Sequence, residues 1–318
     1  MRADRAFALV LGLALASSLI LGGLLARVIP QAMHVLSQGP DDVADGVTLV
    51  VLGLATCGIA LGLGSLFRQL LTTLALIRSL VSRRVATPRR VVRLARELDL
   101  VGRVDVVADP RPFSFCFWFR RPHICLSTAL VRRLDTEELR AVLLHERYHL
   151  RHRDPLRVVI ARYFAAGLYV VPVVDELASF YALQKEIAAD DDAVAHVGVG
   201  PLARALYKLL PDAPDRELGL LMPVTGLSVT EARIDRLALG LEIPLHLSAA
   251  SVVLSAGALV GASVLAAFAG GTSNIVASLP PLVAVPGLLV GPASLLFAAA
   301  VNGGLHQARL VAGLVARS

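Results

Sequence analysis

Charge is scarce in this sequence. Only 18% of its 318 residues are Asp, Glu, Lys or Arg, against about 25% in ordinary soluble domains. Aromatics are few as well, at 5% with a single tryptophan, and there are three cysteines. Cys57, Cys116 and Cys125 form no CxxC pair and no even framework, which excludes a disulfide scaffold and gives no sign of an oxidising compartment. No internal repeat or low-complexity tract is present beyond the apolar runs. Those runs dominate: 56% of residues are hydrophobic and the mean hydropathy is +0.68. That balance excludes a disordered chain and fits an ordinary cytosolic enzyme poorly. The net charge of +6 would suit nucleic acid, but the arginines bracket apolar runs instead, so no direct nucleic-acid binding is expected.

Four uncharged runs reach the roughly 20 residues that a helix needs to cross a bilayer. They are Ala6–Ala26, Gly46–Phe67, Leu247–Ala269 and Leu282–Val301. The first continues well past Ala14-Leu15-Ala16, a passable signal-cleavage site, and is read as a retained span. Sidedness follows from the arginines. Arg2 and Arg5 precede the first span, and Arg68, Arg78, Arg83, Arg84, Arg89, Arg90, Arg93 and Arg96 follow the second. The loop between them has Arg27 against Asp41, Asp42 and Asp45, and residues 270–281 carry no charge. The expectation is a multi-pass protein of a bacterial-type inner membrane, with both termini and the middle of the chain in the cytoplasm. The domains are then 1–82, two spans with a helical extension; 83–243, a cytosolic domain; and 244–318, two further spans and a short tail. The basic run at 83–96 is read as an anchor on anionic lipid.

Within the middle region, Arg103–Asp109 reads as a short strand. Phe113–Phe119 alternates phenylalanine with Ser114, Cys116 and Trp118, the period-two signature of another, and His123–Leu126 returns after a turn. A helix begins near Asp135, where Glu138 completes a capping box, and runs through Leu150; a second covers roughly 175–194. The first of these helices holds His145-Glu146-Arg147-Tyr148-His149, an HExxH. Histidines four apart share a helix face, so both imidazoles can bind one zinc ion. Glu146 sits beside that face, where a carboxylate can act as general base on water.

The third ligand must come from elsewhere. His152 shares the face of His145 but lies about 10 Å along the axis, too far for bonds of about 2.0–2.1 Å to one ion. Pro155 stands where the extended HExxHxxGxxH form needs its last histidine. A carboxylate on the second helix remains. Glu186 opens Glu186-Ile187-Ala188-Ala189-Asp190, with Asp190 one turn on, suited to accept a ligand histidine's other N–H. The alternative for this pair is an acidic surface face, as Asp191 and Asp192 read. Leu156–Val174 is nearly long enough to cross. A crossing would part Glu186 from the histidines, and Arg157 and Arg162 would each cost about +2.5–3.5 kcal/mol at mid-span. It is read as one helix at, or dipping into, the cytoplasmic face, with a buried helix of the domain as the alternative.

The order HExxH, Arg153-Asp154-Pro155, an apolar stretch, ExxAD and Arg233–Leu237 (RIDRL) resembles the BlaR/MecR-type antirepressor metallopeptidases. Pro112–Phe115 and Arg121–Ile124 match as well, so the resemblance covers roughly 95–240 and paired spans on either side. More distantly the chain resembles the HtpX and CAAX-prenyl protease group. The chain departs in Tyr169-Val170-Val171-Pro172, where the family has an aromatic-rich ending. No extracellular sensor domain follows within the 318 residues, so antibiotic sensing is not expected.

The expected fold is a mainly α membrane protein with four transmembrane helices and a cytosolic α+β, gluzincin-type zinc metallopeptidase domain containing a short β-sheet. Zn²⁺ is expected on His145, His149 and Glu186, with Asp190 behind them and Glu146 as the catalytic base. Ser114, Cys116 and Trp118 are candidate contacts for an extended substrate added to the strand edge. Tyr148 and Arg233 are candidates to steady the oxyanion. The expected partners are the bilayer and a protein or peptide substrate, for which the resemblance implies a cytosolic DNA-binding repressor. A homo-oligomer is left open. The rival readings are HtpX-like quality control or peptide maturation, and a non-catalytic membrane scaffold or sensor.

Overall fold

A computed structural model describes residues 3–118, 122–209 and 244–269, with Arg233, Ile234, Arg236, Leu237 and Gly240. The chain forms two compact units: Phe7–Phe67, Ala161–Ala178 and His246–Ser318 in one, and Met1–Ala6, Arg68–Ile160 and Ser179–Leu245 in the other.

Among the described residues, three helices are long and apolar enough to cross a membrane: α1 (Ala3–Gln38), α2 (Val43–Val81) and the last described helix, Ala249–Ala269. They carry large apolar side chains on the outside, Leu19 at 76% exposed, Phe67 at 63% and Val253 at 67%. Such a surface suits lipid rather than water. The chain is a membrane protein. The fourth expected span, 282–301, lies outside the described residues.

Leu156–Val174 is two helices, not the single one expected. α6 (Asp154–Gly167) stops at a glycine and α7 (Pro172–Val197) starts on a proline, whose missing N–H costs nothing in a first turn. Leu168, Tyr169, Val170 and Val171 between them are buried with Ala14 and Ala258. A Cβ on Gly58 would stand 2.7 Å from the Gly167 carbonyl oxygen, so α2 needs glycine to let this turn approach. Polar groups at the start of α7 find partners inside the same unit. Val173 N–H donates to Ser255 Oγ at 3.1 Å, and Glu176 accepts from Ser248 N–H at 3.0 Å and Ser251 Oγ at 2.6 Å. The chain therefore enters the apolar unit on α6, turns, and leaves on α7. This path returns Glu186 to the unit that carries the two histidines.

That second unit is built on a four-stranded sheet in the order β1-β2-β4-β3: β1 (Arg84–Val85), β2 (Val104–Val107), β3 (Ser114–Trp118) and β4 (Pro122–Ser127). β2 and β4 are parallel; β1 on β2 and β3 on β4 are antiparallel. Val104, Val106, Ile124 and Leu126 point to one face and meet α3 (Arg89–Glu97) and α5 (Thr136–His152) in the main core. Phe113, Phe115 and Phe117 point to the other, with Leu80, Val107 and Cys125. The basic run at 83–96 is also part of the fold. It supplies β1 and α3, and α3 buries Val91, Leu94 and Ala95 while exposing Arg89, Arg93 and Arg96.

Candidate metal centre

α5 starts where the capping box predicts. Asp135 Oδ1 accepts from Glu138 N–H at 2.9 Å, and Glu138 Oε2 accepts from Asp135 N–H at 2.9 Å. Glu138 also accepts from Lys208 Nζ at 2.7 Å, tying α8 (Val199–Leu209) to the start of α5. The helix ends on Arg153 in the left-handed region (φ 56°), and this sharp reversal turns Asp154 back under the last turn.

His145, Glu146 and His149 are all buried on α5, at 8%, 5% and 6% exposure, and Glu186 on α7 is 7% exposed. The two Nε2 atoms face each other at 3.1 Å. Glu186 Oε2 lies 3.3 Å from one and 3.6 Å from the other. An ion with four tetrahedral bonds of about 2.0–2.1 Å spaces its ligand atoms about 3.3–3.4 Å apart. Two imidazole nitrogens and a carboxylate oxygen at these separations fit such an ion, and the donor set suits a divalent transition metal.

Each imidazole is backed by a carboxylate. Asp190 Oδ1 lies 2.9 Å from His145 Nδ1, and Asp154 Oδ2 lies 2.8 Å from His149 Nδ1. A proton on each Nδ1 then leaves each Nε2 lone pair facing the cluster. Burial pulls the His145 pKa down, but Asp190 and Glu186 overcome it and raise it to about 9. Burial likewise works against ionised Glu186, yet Lys185 and His149 hold its carboxyl well below the usual range. The pocket thus favours positive charge at its centre.

Glu146 points elsewhere. Its Oε1 accepts from Ser114 Oγ at 2.8 Å. Ser114 lies on β3, the edge strand, so the sequence-predicted substrate contact uses its hydroxyl to hold the candidate base. Cys116 is on the same face of β3, half-buried against the main core, and its thiol is pushed up by burial and by Glu146. The Trp118 side chain lies outside the described residues.

The oxyanion candidates fare differently. Arg233 reaches the cluster, but Nε and Nη2 both donate to Asp190 at 2.7 Å, and Nη1 lies 3.5 Å from Glu186 Oε2. Its guanidinium is committed to orienting Asp190. The Tyr148 ring stacks on His152 at 3.9 Å, and burial pushes its pKa up to about 12. His152 Nδ1 pairs with the Tyr148 carbonyl at 2.9 Å, away from the cluster as its helical offset predicts.

Lys185 goes unnoticed in the sequence, and Asp154 reads there only as part of Arg153-Asp154-Pro155, without a role. Asp154 had a readable signal, an acid directly after a helix end and before a proline. Its burial (2% exposed) and the Tyr181 hydroxyl 3.3 Å from Oδ1 show it is held in place. Lys185, whose Nζ lies 2.7 Å from Glu186 Oε1, had none. Asp154→Ala or Asp190→Ala should each weaken metal binding by about 10–100-fold, measured by competition with a chelator; unchanged affinity in both would show that the imidazoles need no backing.

The model of the BlaR1 peptidase M56 family matches residues 26–207. Among curated proteins, a protease HtpX homolog from Streptomyces coelicolor is 30% identical over 152 residues, covering 39% of this chain and 50% of the relative. Another from Acidiphilium cryptum is 30% identical over 114 residues, covering 34% and 39%. The chain spans half or less of the length of these curated relatives. With more than half of its residues matched by the family, it belongs to the BlaR1 peptidase M56 family.

Proposed function

We propose that this protein is an integral-membrane zinc endopeptidase with its sheet-bearing unit in the cytoplasm, and that it cleaves a cytosolic regulatory protein such as a DNA-binding repressor. The observation that carries the reading is the buried His145–His149–Glu186 cluster with Glu146 beside it. Zinc bound there would supply a Lewis acid to polarise the scissile carbonyl and acidify water. The side chains do the rest. Glu146 takes the proton from the attacking water and returns it to the leaving amine, while Ser114 fixes which of its oxygens is free. Asp154 and Asp190 hold the imidazoles, and Arg233 holds Asp190. The edge of β3, beside Glu146, offers backbone groups to an extended substrate, with Cys116 and Trp118 further along the same strand.

The HtpX names of the matched relatives favour a second reading, turnover or maturation of membrane proteins, with the same chemistry. Proteins that accumulate in cells carrying Glu146→Gln separate the two. A repressor supports the first; damaged membrane proteins support the second. If nothing accumulates and the purified wild type holds no zinc, a non-catalytic scaffold replaces both.

Sidedness follows from the arginine distribution and has its own test. In a background lacking Cys57, Cys116 and Cys125, a cysteine at Gln38 should react with an impermeant thiol reagent added to intact cells. One at Tyr207, which is 77% exposed, should react only after lysis. Labelling of Tyr207→Cys in intact cells would put the metal centre outside.

A further inference from the structure

Lys185 has no part in the chemistry proposed above, yet it is embedded in the metal centre. Its side chain is only 12% exposed, an expensive position for an ammonium group without a partner. Neighbours on a helix point in different directions, so the four-carbon stem has to fold back for Nζ to reach Glu186 Oε1 at 2.7 Å. The two oxygens of Glu186 are thereby divided. Oε1 is taken by the ammonium, and Oε2 alone faces the imidazole nitrogens at 3.3 and 3.6 Å. Carboxylates bind metal ions through one oxygen or through both. A metallopeptidase site needs three protein ligands and one open position, and a chelating Glu186 would crowd the fourth.

We propose that Lys185 is a positioning residue that holds Glu186 as a one-oxygen ligand and so keeps a coordination position open for the reaction. Arg233 cannot do this, because it approaches Glu186 on the Oε2 side and is otherwise bound to Asp190. The charge of Lys185 also reaches Cys116 on the edge strand, where it opposes the rise that burial imposes on the thiol. The proposal rests on the metal-centre reading given above.

The test uses the full chain in detergent, stripped of metal and then loaded with Zn²⁺ or Co²⁺. In the wild type, cobalt should give the strong visible absorption of a four-coordinate ion. Lys185→Met keeps the length of the side chain without charge or donors. It should weaken zinc binding about 10-fold, and its cobalt absorption should weaken as Glu186 turns to chelate. Lys185→Arg should restore both. Should the Met variant not fold, judged by the melting of the metal-free protein, Lys185→Gln carries the same expectation with a shorter, neutral donor. A folded Met or Gln variant with wild-type affinity and spectrum overturns the clamp alone. A wild type that takes up neither ion overturns the metal-centre reading and the clamp with it.

Discussion

Glu146→Gln is expected to lower cleavage by at least about 10²–10⁴-fold, the usual worth of general-base assistance, while leaving bound zinc unchanged. The substitution preserves volume and still accepts the Ser114 hydrogen bond through its amide oxygen, so β3 and α5 keep their relation. It removes the basic oxygen and nothing else. Glu146 is absent from the three atoms that face one another, so the ligand set stays whole. Because the strand edge is also untouched, the variant should hold its substrate uncut and can be used to capture it. Cleavage near the wild-type rate, with the captured protein as substrate, would show that Glu146 is not the base.

Glu186→Ala should abolish stoichiometric zinc, measured by elemental analysis of the purified full chain. Two effects act together. The ion loses its only anionic ligand, and two cations that the carboxylate had neutralised, Lys185 at 2.7 Å and Arg233 at 3.5 Å, are left facing a dication. Removing one partner of a buried charge pair also destabilises a fold by about 3–5 kcal/mol. Glu186→Gln therefore accompanies the Ala variant. It keeps the shape and a neutral oxygen, so a zinc loss shared by both variants reports on ligation rather than on collapse. Full zinc occupancy in Glu186→Ala would require a different third ligand.

The variants differ in how visible their targets are in the sequence. Glu146 is legible because HExxH is local: one helix repeat places both histidines and their neighbour, whatever the rest of the chain does. Glu186 lies 37 positions beyond His149. It could be picked out only by the chemistry of the ExxAD stretch and by eliminating His152. Ser114 was singled out as lying on a strand, but a period-two pattern names a face and not the partner opposite it. That its hydroxyl meets Glu146, 32 residues away, depends on β3 being the edge strand packed against α5.

Local rules also decided both strands of the hairpin, the capped start of α5 and the apolar helices, because each depends on residues within a few positions of one another. The tertiary structure alone decided the rest. Leu156–Val174 is mostly apolar, and hydropathy cannot separate one helix from two joined by a buried turn; the packing of that turn against Gly58, Ala14 and Ala258 does. The arginine run at 83–96 reads as surface, and Arg89, Arg93 and Arg96 are exposed, but only the fold shows that α3 uses its other face for the core. Arg233 was a plausible oxyanion donor until Asp190 claimed its guanidinium, and Lys185 acquires a role only when its stem bends back to Glu186. The physical reason is common to all four. Sequence patterns specify what a residue can offer, whereas its partner is set by which elements the fold brings within hydrogen-bond reach.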